Sequence, residues 1–221
     1  MDIWETMRCR HSVRKYTDKQ IEQEIITKLK REIDMINAVN SFSFALFTDE
    51  PEAFKANKPS YGSFSGCRNY FALVAPKGLD EKVGYFGERL VLLSQMLGLN
   101  TCWVALTYSK GKVPIKINKG DKLYDVIALG YGLNQGVPHK NKPIEKLSNI
   151  DEKSPIWFRM GVEAAMLAPT AINQQKFYFT LIGEKTIKAK AFFGPCSKTD
   201  LGIVKYHFEL GAGKENFNWA D

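Results

Sequence analysis

The stretch Met166-Leu167-Ala168-Pro169-Thr170-Ala171-Ile172-Asn173-Gln174-Gln175-Lys176-Phe177-Tyr178-Phe179 decides how this chain is read. A helical run ends in a Pro-Thr turn, because proline lacks the N–H that a helix interior needs. An Asn and two Gln residues follow, and the aromatic run from Phe177 reads as a strand. The same order of helix, Asn-bearing turn, aromatic strand and glycine-bounded helix occurs earlier in the chain. A shift of 133 places Asn40 on Asn173 and Phe44 on Phe177, and a shift of 115 places Gly87 on Gly202 and Gly98 on Gly213. Two related halves, the second shorter, account for these coincidences; two ordinary αβ units are the alternative.

Working outward, a short helix is expected over residues 3–9. A longer one starts near Thr17-Asp18-Lys19-Gln20, with Ile21, Ile25, Leu29, Ile33 and Ile36 as its apolar stripe. Strands are expected over 42–47, 69–75, 101–107, 122–130 and 177–182. Helices are expected over 84–97, 156–168 and 199–210. The polar, helix-breaking stretch 149–155 is the best linker. It divides the chain into a first half, 1–150, and a second, 151–221.

At 221 residues, with 44% hydrophobic and 25% charged residues, the chain can bury one substantial core or two small ones. Its longest apolar run, 90–99, is interrupted by Ser94, Gln95 and Gly98 and is too short and polar to span a bilayer. The acidic N-terminus carries no secretory h-region. Cys9, Cys67, Cys102 and Cys196 are scattered without CxxC spacing, so neither a zinc site nor a disulfide framework is supported, and a reducing cytoplasm is the simpler compartment. Cys9 sits between Arg8 and Arg10, but no base accompanies it, so it reads as structural. The net charge of +7 favours anionic ligands. No zinc-finger, RNP or helix-turn-helix pattern accompanies it, which weighs against nucleic acid. Residues 84–87 lack GxGxxG spacing, and GxSxG and HExxH are absent. No metal ligand set and no catalytic side chain stand out. The glycine-serine loop 61–66 reads as surface, with backbone approach to a ligand as the alternative.

One short pattern carries more. In an extended Arg10-His11-Ser12-Val13-Arg14, alternate residues point one way, placing two guanidinium groups and a hydroxyl on one face. Arg-x-Ser-x-Arg strings are common, so its weight comes from its company. A glycine-ended helix runs into Gly98-Leu99-Asn100-Thr101-Cys102-Trp103-Val104-Ala105-Leu106. A later strand ends Ala128-Leu129-Gly130-Tyr131, and a basic segment follows at Lys140-Asn141-Lys142-Pro143. In this order the four motifs resemble the nitroreductase family of FMN flavoproteins, and they cover most of residues 1–147.

The resemblance implies an α+β fold: a mixed, largely antiparallel sheet flanked by helices, here internally duplicated as a pseudo-dimer. It implies an oxidoreductase that passes hydride from NADH or NADPH through FMN to a small acceptor such as a nitroaromatic or a quinone. Arg10, Ser12 and Arg14 would contact the phosphate, ribityl chain and pyrimidine edge, with Arg14 stabilising charge on the reduced flavin. His11 would contribute its backbone or ring. Ala105 and Leu106 match a stretch whose amides approach the flavin ring, and Lys140 and Lys142 match a basic pair at the phosphate. Lys142 stands where arginine is expected, keeping the charge but losing the bidentate fork.

The family's Pro-Ser-x-x-Asn-x-Gln segment belongs near residue 40, where this chain has Ile36-Asn37-Ala38-Val39-Asn40. The better version lies in the second half. Pro169, Thr170, Ala171 and Asn173 would then close the site as a partner subunit does in ordinary members. One FMN per chain follows, and a monomer is sufficient. Two other readings stay open: a flavin-binding or flavin-storage protein with little reductase activity, and a basic module for nucleic acid or other anions.

Overall fold

A computed structural model of the chain describes residues 1–55 and 63–220. Tyr61 and Gly62 of the glycine-serine loop lie outside them. In chain order the elements are α1 (Ile3–Cys9), α2 (Gln23–Asn40), β1 (Ala45–Phe47), α3 (Glu52–Lys55), β2 (Asn69–Pro76), α4 (Asp80–Met96), β3 (Asn100–Val104) and β4 (Asp121–Gly130). Then come α5 (Ile156–Met166), β5 (Phe177–Ile182), β6 (Thr186–Ala191), α6 (Ser197–Ala212) and β7 (Asn218–Trp219). The fold is mixed α+β, with an antiparallel sheet flanked by helices. The order α2-β1-β2-α4-β3, with α3 inserted, recurs as α5-β5-β6-α6-β7.

Contacts divide the chain into two compact units. One comprises Cys9–Leu79 and Arg89–Val137, the other Met1–Arg8, Asp80–Glu88 and Pro138–Asp221. Both are discontinuous in sequence, unlike the linear boundary expected at 149–155. A helix is continuous along the chain, so α4 can contribute 80–88 to one unit and 89–96 to the other.

The first unit is built on a four-stranded antiparallel sheet of order β1-β2-β4-β3. Seven of the eight residues of β2 are buried, so Tyr70, Ala72 and Val74 face one side of the sheet while Phe71, Leu73 and Ala75 are covered on the other. Tyr70, Phe54, Phe64, Val104, Val126 and Ala128 belong to one core cluster. The helix α2 buries Leu29, Ile33 and Ile36 of the expected stripe. The strand expected over 42–47 is confined to Ala45–Phe47. Both backbone groups of Phe44 are taken by the Asn37 side chain, at 2.9 Å each, so they are not available for ladder pairing.

The second unit pairs β5 with β6 antiparallel and β6 with β7 parallel. β6 does alternate in the sequence, Thr186, Lys188 and Lys190 with Ile187, Ala189 and Ala191, but carries no aromatic and only one apolar β-branched residue, while β7 has only two residues. Its core is aromatic: Phe208 of α6 lies 4.6 Å from Phe179, 5.1 Å from Phe217, 5.4 Å from Trp219 and 6.0 Å from Phe158, ring centre to ring centre. Such pairs contribute roughly 0.5–1.5 kcal/mol each beyond burial. Within this unit the first part of α4 crosses α6 at glycines. A Cβ on Gly84 would sit 2.0 Å from the Thr199 carbonyl oxygen, and one on Gly202 would sit 1.8 Å from that of Glu81.

Candidate functional site

The predicted site residues fall into two groups, one in each unit. In the first, β3 is an edge strand, and residues 12–13 cover that edge. Ser12 bridges Thr101, and the Val13 N–H donates to the Thr101 carbonyl at 3.0 Å. This satisfies backbone groups that an open edge would expose. Val13 and Tyr16 anchor the segment in the core, and the Tyr16 hydroxyl donates to the Val13 carbonyl at 2.7 Å. Arg14, between these anchors, is exposed, Ser12 is half-buried, and Arg10 is only 4% exposed.

All three residues influence the titration of one buried thiol. The buried Cys102 thiol of β3 is pushed up by burial, and this is opposed by the charge of Arg14, a hydrogen bond with Ser12 and the charge of Arg10. Ser12 lies on the β3 edge, with Arg10 and Arg14 two residues to either side of it. His11 turns elsewhere: its Nδ1 lies 3.2 Å from the Gln135 carbonyl. That contact adjoins a second tie, in which Asn100 donates to Gln135 Oε1 and accepts from the Gly132 N–H, both at 2.9 Å. The strand expected to reach Thr107 ends at Val104. Ala105 and Leu106 form an exposed bend directly beyond it, with Leu106 78% exposed.

The second group is a tight loop after α5. Its Asn173 amide donates to the Lys140 carbonyl at 2.9 Å. Lys142 ties the loop twice: its ammonium donates to the Gln174 and Gln175 carbonyls at 2.7 and 2.9 Å, and its N–H donates to Gln175 Oε1 at 2.9 Å. The Thr170 hydroxyl accepts from the Gln175 N–H at 3.1 Å. The Ala171 N–H donates to Asp200 Oδ1 at 3.0 Å. Pro169, Thr170 and Ala171 are half-buried, whereas Asn173, Lys140 and Lys142 are exposed.

Two residues of this group were not among the candidates. Gln175 is buried, and its amide nitrogen donates to the Lys140 carbonyl at 2.7 Å and to Asn173 Oδ1 at 2.8 Å. A signal existed, since Gln175 stands two residues after Asn173, as in the Asn-x-Gln pattern. Asp200, near the start of α6, had no signal. Burial pushes its carboxyl up to about 6, against the lowering effect of hydrogen bonds from Gln174 and the Ala171 N–H.

A family model described as "Putative TM nitroreductase" matches residues 2–212. The chain belongs to this nitroreductase family. Among solved structures, a protein described as a putative nitroreductase from Thermotoga maritima is 23% identical, with a TM-score of 0.69 over 97% of this chain and 85% of that one. A putative NADH dehydrogenase/NAD(P)H nitroreductase from Parabacteroides distasonis is 20% identical, with a TM-score of 0.52 over 69% of this chain and 98% of that one. An FMN-dependent nitroreductase from Clostridium difficile is 17% identical, with a TM-score of 0.50 over 64% of this chain and 92% of that one. At these identities the structures establish the shared fold. No curated protein matches the chain. Membership of the nitroreductase family supports a general oxidoreductase role. Among the described residues, no helix is long and apolar enough to cross a membrane.

Proposed function

We propose that this chain is an FMN-dependent oxidoreductase that takes electrons from NADH or NADPH and delivers them to a small acceptor such as a nitroaromatic or a quinone. The observation that carries this reading is the placement of the Arg10, Ser12 and Arg14 segment along the edge of β3, the strand that runs into the exposed bend at Ala105 and Leu106. The donor chemistry fits FMN: fixed cations suit its phosphate and the charge that develops on the reduced ring, and a hydroxyl suits its polar chain. FMN, when bound, supplies the two-electron chemistry. The protein's residues bind and orient it, so no acid–base side chain is required of them.

In this reading Arg10 and Ser12 bind the phosphate and ribityl chain, and Arg14 offers charge to the pyrimidine edge. Ala105 and Leu106 approach the ring with backbone amides, while His11 contributes its backbone. Of the second group, Lys140, Pro169, Thr170, Ala171 and Asn173 belong to the same reading through the family pattern, with Lys142 tied to the loop beside them. Structural relatives described as an FMN-dependent nitroreductase and as a putative NADH dehydrogenase/NAD(P)H nitroreductase lend it further support.

The test is FMN titration followed by quenching of flavin fluorescence. Arg10→Ala and Arg14→Ala are each expected to weaken binding about ten- to a hundredfold, the worth of one hydrogen bond to a charged group. Full-affinity binding by both variants refutes the assignment. Anaerobic addition of NAD(P)H should bleach the bound flavin; a yellow protein that resists bleaching is instead a flavin carrier. A colourless protein with steep salt-dependent anion binding is the basic module.

A further inference from the structure

The loop 170–175 is strained. Ile172, Asn173 and Gln175 have φ of 49°, 53° and 43°, the left-handed region that costs a residue other than glycine about 1–2 kcal/mol. For β-branched Ile172 this is a true outlier, and its side chain is 74% exposed, so burial does not offset the strain. Something else holds the shape.

Two charged residues do so. On one side, the Lys142 ammonium reaches two consecutive carbonyls, those of Gln174 and Gln175, each within hydrogen-bond distance. On the other, both oxygens of the Asp200 carboxyl are used by the loop: Oδ1 accepts from the Ala171 N–H, and Oδ2 accepts from the Gln174 amide at 2.7 Å. The buried Gln175 amide joins Asn173 to Lys140, linking the loop to the strand of chain that carries Lys142. Charge-assisted bonds of this kind are roughly twice as strong as neutral ones.

We propose that Lys142 and Asp200 are positioning residues that lock residues 170–175 in their left-handed shape, and that Lys142 serves the loop carbonyls rather than a cofactor phosphate. This rests on the reading that the loop meets the flavin. Strained conformations persist where surrounding structure over-determines them, and they concentrate at ligand-binding loops. Here the surrounding structure consists of named groups, which makes the device open to test.

The experiment compares Lys142→Met, Lys142→Arg and Asp200→Asn with the wild type in two measurements. One is amide hydrogen exchange of the peptide spanning 169–176 without ligand. The other is parallel titration with FMN and with riboflavin, which lacks the phosphate. Lys142→Met is expected to speed exchange in the loop about tenfold or more and to weaken FMN and riboflavin by the same factor. Lys142→Arg, which keeps donors for the carbonyls, should restore much of both. Loss of FMN affinity with riboflavin affinity and loop exchange unchanged would make Lys142 a phosphate ligand and overturn the proposal. So would wild-type behaviour in both measurements. If Lys142→Met does not fold, Asp200→Asn carries the same exchange test, and unchanged loop exchange there rejects the lock. If the wild type binds neither flavin, the flavin reading fails, while the exchange measurement still decides the role of the two residues.

Discussion

Asp200 offers a quantitative check on the loop's anchorage. Its carboxyl titrates at about 6 in the folded protein, against an ordinary 3.8. The folded state therefore binds the proton more tightly than the unfolded chain does, so stability falls as pH rises between the two values. The benefit of protonation is fully present below pH 3.8 and is lost as pH passes 6. The difference corresponds to about 3 kcal/mol in all, of which about 2 kcal/mol falls between pH 4 and pH 7. Asp200→Asn removes the titration. Urea unfolding of wild type and variant, followed by tryptophan fluorescence at several pH values across that range, isolates the contribution as a difference of differences. The gap in stability between the two proteins should change by about 2 kcal/mol from pH 4 to pH 7, with wild type gaining relative to the variant at the acid end. A gap independent of pH would refute the assignment of a buried, high-titrating carboxyl at this position.

Three further outcomes are expected. Gly84→Ala should destabilise by about 1–3 kcal/mol in thermal unfolding, because its Cβ would meet the Thr199 carbonyl of α6 and the two helices would have to separate. Glu88 and His207 form a fully buried contact at 2.9 Å, with the other His207 nitrogen 3.1 Å from the Ala164 carbonyl. Glu88→Leu alone should cost about 3–5 kcal/mol, and adding His207→Leu should recover part of it; a double variant no more stable than the single one contradicts this. Finally, a disulfide-exchange reagent should label Cys9 and Cys196 quickly in the native protein, both being exposed. Cys67, buried and pushed up to about 12, and Cys102, buried and also raised, should react only on unfolding.

The loop residues show where a resemblance stops short of structure. The family pattern marks Lys142 as a charge near the phosphate; in the folded unit its ammonium also donates to the carbonyls of Gln174 and Gln175. Spacing alone cannot reveal this, because the two segments meet only in the folded unit. The predicted strands over 42–47 and 101–107 were overlong for a related reason. Aromatic and β-branched composition marks a run as strand-like, but the ladder ends where backbone groups find other partners, as Phe44 does at Asn37.

What the sequence determined by itself is local and periodic. The apolar stripe of α2, the buried run of β2, the helix stop at Pro169 and the alternation of Arg10, Ser12 and Arg14 all follow from side-chain chemistry repeated at the spacing of a helix or a strand. Ordered motifs then pointed to the nitroreductase family. Only the tertiary structure decided the rest. It divided the chain into discontinuous units, laid residues 12–13 along the edge of β3, and brought Asp200 and Lys142 to a loop from separate stretches of chain. Those arrangements depend on which buried groups remain to satisfy one another once the chain has packed, a condition that no short window of residues contains.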